Sequence, residues 1–197
     1  MIRILQAFIN RIASGWTFAV FGMAALALVF TVNAADYAWT LPGFKHITHG
    51  VGILDMEWHY DANAAYRMLT AQGEAGRARY LQMLWTVDVA LPMLVSLWLA
   101  ITLALALRRL GTSGRGRARL MLIPLAAGLS DYVENSAISI LLAQYPERFD
   151  ILANVAGYAT ALKHTLYTLS VVIAILFGLS ALARQRVRDV PKSPTKR

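Results

Sequence analysis

The run from Leu129 to Leu142 reads LSDYVENSAISILL. Two acids and an amide, Asp131, Glu134 and Asn135, stand there among apolar and small residues. Two further apolar runs carry ionisable groups: Asp88 in one, Lys163 and His164 in another. Charged side chains within a bilayer are costly, and by default they mark a functional site. Carboxylates beside a lysine and an amide can hold a proton, a cation or a small polar ligand. The same residue types can also serve structure alone, because acid–lysine–amide networks tie helices together and fix their register.

Depth decides whether these groups can meet. The apolar runs are Trp16–Val32, Leu84–Leu107, Leu120–Tyr145 and Val155–Leu182. At a helical rise of about 1.5 Å per residue, Asp88, Glu134 and Lys163 lie roughly 6, 16 and 12 Å below the outer boundary, and Asp131 about 5 Å deeper than Glu134. Facing is set by spacing. Gly128, Asp131, Asn135 and Ile138 share one helical face with Glu134 beside it, and Thr160, Lys163, Tyr167 and Ser170 repeat at helical intervals with His164 alongside. Pro92 follows Asp88 by four residues, so the Asp88 carbonyl loses its helical donor at the level of the Asp88 side chain.

The candidate ligand- or ion-binding set is therefore Asp88, Asp131, Glu134, Asn135, Lys163, His164 and Tyr167. The three acids would carry charge, Asn135 and Tyr167 would orient, and Lys163 would be the counter-ion. Arg77, Tyr80, Leu84 and Asp88 fall on one helical face, which makes Arg77 and Tyr80 a candidate outer mouth. Tyr80 and Trp85 equally suit an interfacial aromatic belt. No catalytic residue is assigned: Glu134 or His164 in acid–base roles would lack a nucleophile or a metal set. The loop residues His46, His49, Asp55, Glu57, His59 and Asp61 match no compact metal-ligand spacing and read as solvated. No metal and no cofactor are expected.

The elements that must position these groups follow from composition and charge. The chain has 197 residues, 57% of them hydrophobic and only 15% charged, and a mean hydropathy of +0.49. Soluble domains carry roughly 25% charged residues. The deficit and the long apolar runs place the chain among multi-pass membrane proteins. Cysteine is absent, which excludes disulfides, thiolate metal sites and thiol redox chemistry.

The net charge of +8 is unevenly spread. Basic residues gather before the first run (Arg3, Arg11), between the second and third (Arg108, Arg109, Arg115, Arg117, Arg119) and in the tail from Arg184 onward, with Asp189 the lone acid among them. The acids outside the runs lie in the other two connections. This is the positive-inside asymmetry. It predicts four spans in the inner (cytoplasmic) membrane with both termini cytoplasmic. The basic segments then meet anionic lipid head groups, and nothing resembles a nucleic-acid footprint.

The first apolar run exceeds the ~7–15 residues of a signal-peptide core, so an uncleaved helix is expected. Ile2, Leu5, Phe8, Ile9 and Ile12 recur at helical spacing, so residues 1–14 predict an amphipathic interfacial helix. Residues 61–72 predict a short outer helix with Asp61 as N-cap and Gly73 as stop. Helix is expected to resume near Glu74 and run straight into the second span. The connection containing Gly111, Gly114 and Gly116 lacks a phosphate-loop ending and reads as a turn.

Tyr66, Gly73, Gly76-Arg77, Tyr80, Asp88 and Pro92, followed by Asp131, Glu134-Asn135 and a lysine in the last span, resemble a group of small uncharacterised four-span membrane proteins of bacteria, over roughly residues 50–170. The resemblance implies a fold and no chemistry. The expected architecture is all-α: a four-helix antiparallel up-down transmembrane bundle with spans about 16–33, 84–107, 120–145 and 155–182. It adds the interfacial helix, an outer loop 34–83 with its helix, a membrane domain over 15–183 and a disordered basic tail over 184–197. The expected function is a polar chamber in the outer half that binds or conducts a proton, a cation or a small polar or lipid-like ligand. The alternatives are an accessory or structural subunit with a membrane-protein partner, and an intramembrane enzyme acting on lipid or isoprenoid.

Overall fold

The computed structural model describes residues 2–112 and 115–189, and these are helices joined by short connections. The helices are α1 (Ile2–Ile12), α2 (Gly15–Ala34), α3 (Leu41–Ile47), α4 (Ala62–Ala71), α5 (Gly73–Leu84), α6 (Val87–Arg109), α7 (Arg115–Gln144) and α8 (Asp150–Asp189), with a 3-10 turn at Leu54–Met56. Residues 113 and 114 of the basic connection, and 190–197 of the tail expected to be disordered, lie outside the described residues. The part of that tail from 184 to 189 continues α8.

Three stretches are long and apolar enough to cross a membrane: Gly15–Ala34, Gly73–Arg109 and Asp150–Gln185. At 30 residues α7 has the length. It misses the apolar character because Asp131, Glu134 and Asn135 stand near its middle. Helix α6 is central and packs against α2, α7 and α8, while α7 and α8 share the most extensive interface.

Local signals explain the helix ends. Ser14 and Thr17 form a reciprocal capping box at the start of α2, with the Thr17 N–H donating to Ser14 Oγ at 3.1 Å and the Ser14 N–H to Thr17 Oγ1 at 2.9 Å. Asp61 caps α4 through the Ala64 N–H at 2.7 Å. Gly73 takes the left-handed conformation that closes α4, at φ +66°. One expectation is corrected: helix does not pass unbroken from residue 74 into the second span. It stops at Leu84 and restarts at Val87. Trp85 leaves helical geometry there, at φ −94° and ψ 4°, and the Thr86 hydroxyl donates back to the Gln82 carbonyl at 2.8 Å.

Helix α1 is amphipathic as its spacing predicts, but its apolar side is divided. Ile9 and Ala13 are buried among Leu103, Leu107 and Met121, whereas Ile4 and Phe8 are exposed. Arg108 secures the end of α1 by donating to the carbonyls of Asn10 and Ala13.

Two apolar clusters occupy the ends of the molecule. One gathers Phe44, Leu54, Tyr66, Leu69, Tyr80, Met83, Ile138 and Leu141, and the other Ile9, Leu99, Leu103, Leu107, Met121 and Ala174. Along α6, α7 and α8 alike, polar side chains stand between these clusters: Asp88 and Ser96, Ser130 to Asn135, and Thr160, Lys163, His164, Tyr167 and Ser170. The polar layer is thus sealed from both ends by hydrocarbon.

The segment between α3 and α4 folds back over this layer and is held to α8 at several points. Asn154 Oδ1 accepts from the Ala62 N–H at 2.9 Å. Gly157 lies so close to the Tyr60 carbonyl that a Cβ there would overlap it. Gly157→Ala should therefore lift this segment from α8. Overpacking costs about 1–3 kcal/mol, or roughly 2–12 °C of melting temperature for a chain of this size. Gly178→Ala, whose Cβ would enter open space, should show no loss. Thermal unfolding of both variants in detergent checks this; equal stability would remove the close packing argued for Gly157.

Candidate functional site

Lys163 is the centre of the polar layer. It is buried, and its Nζ lies 2.5 Å from Glu134 Oε2, 3.4 Å from Asp55 Oδ1 and 3.5 Å from Asp131 Oδ1. An ammonium has three protons to donate, and here three carboxylates surround it, two from α7 and one from the 3-10 turn. Glu134 is completely buried, and its other oxygen accepts from Thr160 Oγ1 at 2.5 Å.

Asp55 is the member the sequence did not single out. It arrives from the outer 3-10 turn rather than from a span. Tyr80 Oη donates to Asp55 Oδ2 at 2.6 Å, and the Asp55 N–H donates back to the Tyr80 oxygen at 3.3 Å. His164 supports the same turn. Its Nε2 lies 3.2 Å from the Asp55 carbonyl oxygen and 3.0 Å from that of Glu57. Both partners are acceptors, so Nε2 carries the proton. The imidazole also stacks on Trp58, with ring centroids 5.5 Å apart. The local hint for Asp55 was its setting: an acid flanked by Ile53, Leu54 and Met56 is odd for a solvated loop. Nearby, burial pushes the Tyr60 phenol well above its ordinary value, so it stays neutral beside the acids.

The proline in α6 has the consequence its position implies. The Asp88 carbonyl accepts from Asn135 Nδ2 at 3.3 Å, and the neighbouring Val89 carbonyl accepts from Tyr132 Oη at 2.6 Å. Side chains of α7 thus supply donors to the turn that precedes Pro92. One turn deeper, Tyr167 Oη lies 3.2 Å from Ser96 Oγ. Gly128 sits against Ser96 and the Pro92 carbonyl, leaving no room for a side chain. Ser130 Oγ donates to the Ala159 carbonyl at 3.0 Å, tying α7 to α8.

Two expected positions are corrected. Arg77 forms no mouth: its guanidinium donates to the Leu69 carbonyl at 2.9 Å and lies 3.8 Å over the Tyr145 ring, bracing α4 and the end of α7. Tyr80 is neither mouth nor belt but fully buried against Asp55. Trp85 is exposed. The outer-loop residues disperse. His46 pairs with Asp36 at 3.4 Å, His59 packs on Tyr158, and Asp61 is the α4 cap. Among the described residues, no group of three or more His, Asp or Glu side chains is arranged to hold a metal ion.

A half-enclosed cavity of about 190 Å³ borders the cluster. Its polar wall includes Asp55, Asp88, Asp131, Lys163, His164 and Tyr167, and its apolar wall Val32, Leu41, Ile53, Met56, Met83, Val87 and Leu91. The Asp88 carboxylate lines this cavity and forms no ion pair among the described residues, whereas Lys163 is engaged by Asp55, Asp131 and Glu134. The carboxyl groups therefore outnumber the cations that face them, and the one without an ion pair among the described residues is at the cavity.

No family model, no curated protein and no solved structure matches this chain. What it does must be argued from the site.

Removing the central cation strands buried acids. Lys163→Met should cost about 3–5 kcal/mol, the range for breaking a buried ion pair from one side. Glu134→Gln should cost less, because the amide oxygen still accepts from Thr160. Combining the two should recover part of the Lys163→Met loss, which a double-mutant cycle on detergent-solubilised protein measures. Strict additivity would show that Lys163 and Glu134 are not coupled.

Proposed function

We propose that this chain is a four-span integral protein of the inner (cytoplasmic) membrane, an antiparallel up-down bundle with α1 lying in the cytoplasmic interface, and that it binds a small cation in a chamber in its outer half. Support for a fourth span comes from α7 itself. Its polar residues Ser130, Glu134 and Asn135 are buried, while Leu129, Val133 and Ile140 are exposed. Helix α8 repeats the pattern, with Thr160, Lys163 and Ser170 inward and Leu162, Leu169 and Leu176 outward. Such inversion is unfavourable in water and suits a hydrocarbon solvent.

The observation that carries the cation reading is the Asp88 carboxylate, which faces a cavity without a cationic partner. In this reading Asp88 is the principal ligand, and Asp131 supports it. Lys163 balances the remaining acids, while Asn135 and Tyr167 hold α6 in the kinked form that presents Asp88. His164 maintains the outer turn that carries Asp55.

A structural role describes the other half of the cluster. Glu134, Thr160 and Lys163 are sealed from solvent and bond to one another. They fasten α7 to α8 and need no ligand.

The chain has no native cysteine, so single cysteines report topology cleanly. Trp58→Cys should react with a membrane-impermeant maleimide applied to the outer face of intact cells, and Thr112→Cys only after permeabilisation. The opposite pattern would invert the proposed orientation.

Methylammonium chloride should raise the melting temperature of the purified protein saturably, beyond sodium chloride at equal ionic strength, by mass action on the folded state. Asp88→Asn should abolish that rise. A variant responding as strongly as the wild type would remove Asp88 from the site.

A further inference from the structure

The cavity beside Asp88 is two-faced, and that narrows what it can take. A bare or hydrated inorganic cation is poorly matched. Asp55, Asp131 and Glu134 converge on Lys163 rather than on an empty point, and among the described residues no three acid or histidine side chains are set to coordinate a metal. Beside the acids, and apart from Asn33, the lining is largely hydrocarbon and thioether, from Leu41, Ile53, Met56, Met83 and Leu91 among others. It offers a hydrated ion nothing in return for its lost water. Methionines, being flexible and polarisable, line surfaces that adapt to apolar shapes.

An organic ammonium with an apolar body satisfies both walls at once. Its charged end meets the carboxylate that Lys163 leaves unpaired, and its body removes hydrocarbon from water against the apolar part of the lining. The volume sets the size. At about 190 Å³, the cavity is somewhat larger than the ~150 Å³ apolar cavities known to accept benzene. That admits one small ring or a short branched chain on a brief tether, and excludes a whole phospholipid. The cavity lies where the last turn of α2 and the first turns of α6 meet α7 and α8, and α2 and α8 both pack on α6 with little contact to one another.

We infer that the ligand is a compact monoamine: a protonated amine carrying an apolar group of about benzene size, bound with its ammonium on Asp88 and its body between Ile53, Met83 and Leu91. This rests on the cation-binding reading above and specifies its substrate class.

Phenethylammonium is a fitting probe for the full-length purified protein in detergent, with binding followed by isothermal titration calorimetry. Three relatives separate its features: methylammonium has the charge without the body, phenethyl alcohol the body without the charge, and phenylacetate the body with the opposite charge. Phenethylammonium should bind roughly tenfold or more tightly than any of them, since both walls must contribute. Asp88→Asn should weaken it to the level of the alcohol. Leu91→Phe, which shrinks the apolar end and leaves the acids in place, should weaken phenethylammonium and leave methylammonium unchanged. Melting curves without ligand establish that each variant is folded.

Equal affinity for methylammonium and phenethylammonium would overturn the monoamine class while leaving cation binding at Asp88 intact. Binding of the alcohol as tightly as the amine would overturn it too, leaving an apolar pocket with no role for charge. No binding of either cation by the folded wild type would remove both this inference and the reading beneath it.

Discussion

A single ammonium with little access to water governs much of this structure. Taking a lysine head group out of water costs several kcal/mol even after relaxation. That penalty is offset only where carboxylates and hydrogen bonds replace the lost solvent. Lys163 has three such carboxylates, and no one helix could supply them: Glu134 and Asp131 come from α7, and Asp55 comes from outside the bundle. The outer segment must therefore fold inward far enough to deliver Asp55. Its other attachments, His164 on the Asp55 and Glu57 carbonyls, Asn154 on Ala62 and Tyr80 on Asp55, serve that placement. An outer connection that looks like a loop is thereby an obligatory wall of the polar layer.

A second constraint acts through the backbone. Buried carbonyls need donors, and Pro92 removes one within a helix that has apolar surroundings on both sides of the kink. The donors come from α7, through Asn135 and Tyr132. This places Asn135 in a role distinct from the acids around it: it satisfies the kink instead of a charge. The donors to α6 and the acids of the ion cluster are sequence neighbours on α7, Tyr132 beside Asp131 and Asn135 beside Glu134, so one helix serves both. Helix α7 can hold so many polar groups because its opposite face is hydrocarbon. A hydropathy average hides that division, since it sums the two faces.

How much of this could be read from the residues depends on whether the signal was local. Helical spacing along 128–138 and 160–170 places the acids, the amide and the lysine on inward faces, and the proline rule identifies the carbonyl that Asn135 meets. Each rests on contacts within one helix or on the depth of a residue along it. Asp55 was not legible in that way, because its burial depends on a turn held by residues up to about a hundred positions distant in sequence, Lys163 among them. Arg77 and Tyr80 were misplaced for a related reason. Their shared face with Asp88 assumed one continuous helix, and the interruption between Leu84 and Val87 changes the relation between the two pieces. Tyr80 then points to the outer turn, and Arg77 to Tyr145.

The structural and binding roles of the cluster divide between its acids and do not compete for them. A carboxylate that is sealed, ion-paired and bonded to a threonine, as Glu134 is, has no capacity left for a ligand, and exchanging its partners would mean breaking the α7–α8 interface. A carboxylate at a cavity wall with no ion pair, as Asp88 is, contributes nothing comparable to holding helices together. Asp131 lies between these limits: it is 3.5 Å from Lys163 and also borders the cavity. A cation arriving at Asp88 would therefore compete with Lys163 for Asp131, and through Lys163 it would be felt at Asp55 and Glu134. Coupling of this kind needs no moving domain. It requires only that one buried ammonium be shared among acids from different elements, so that a second positive charge nearby redistributes its contacts. The outer turn is the element that can respond, since it is joined to the cluster chiefly through Asp55 and is exposed at Met56 and Trp58.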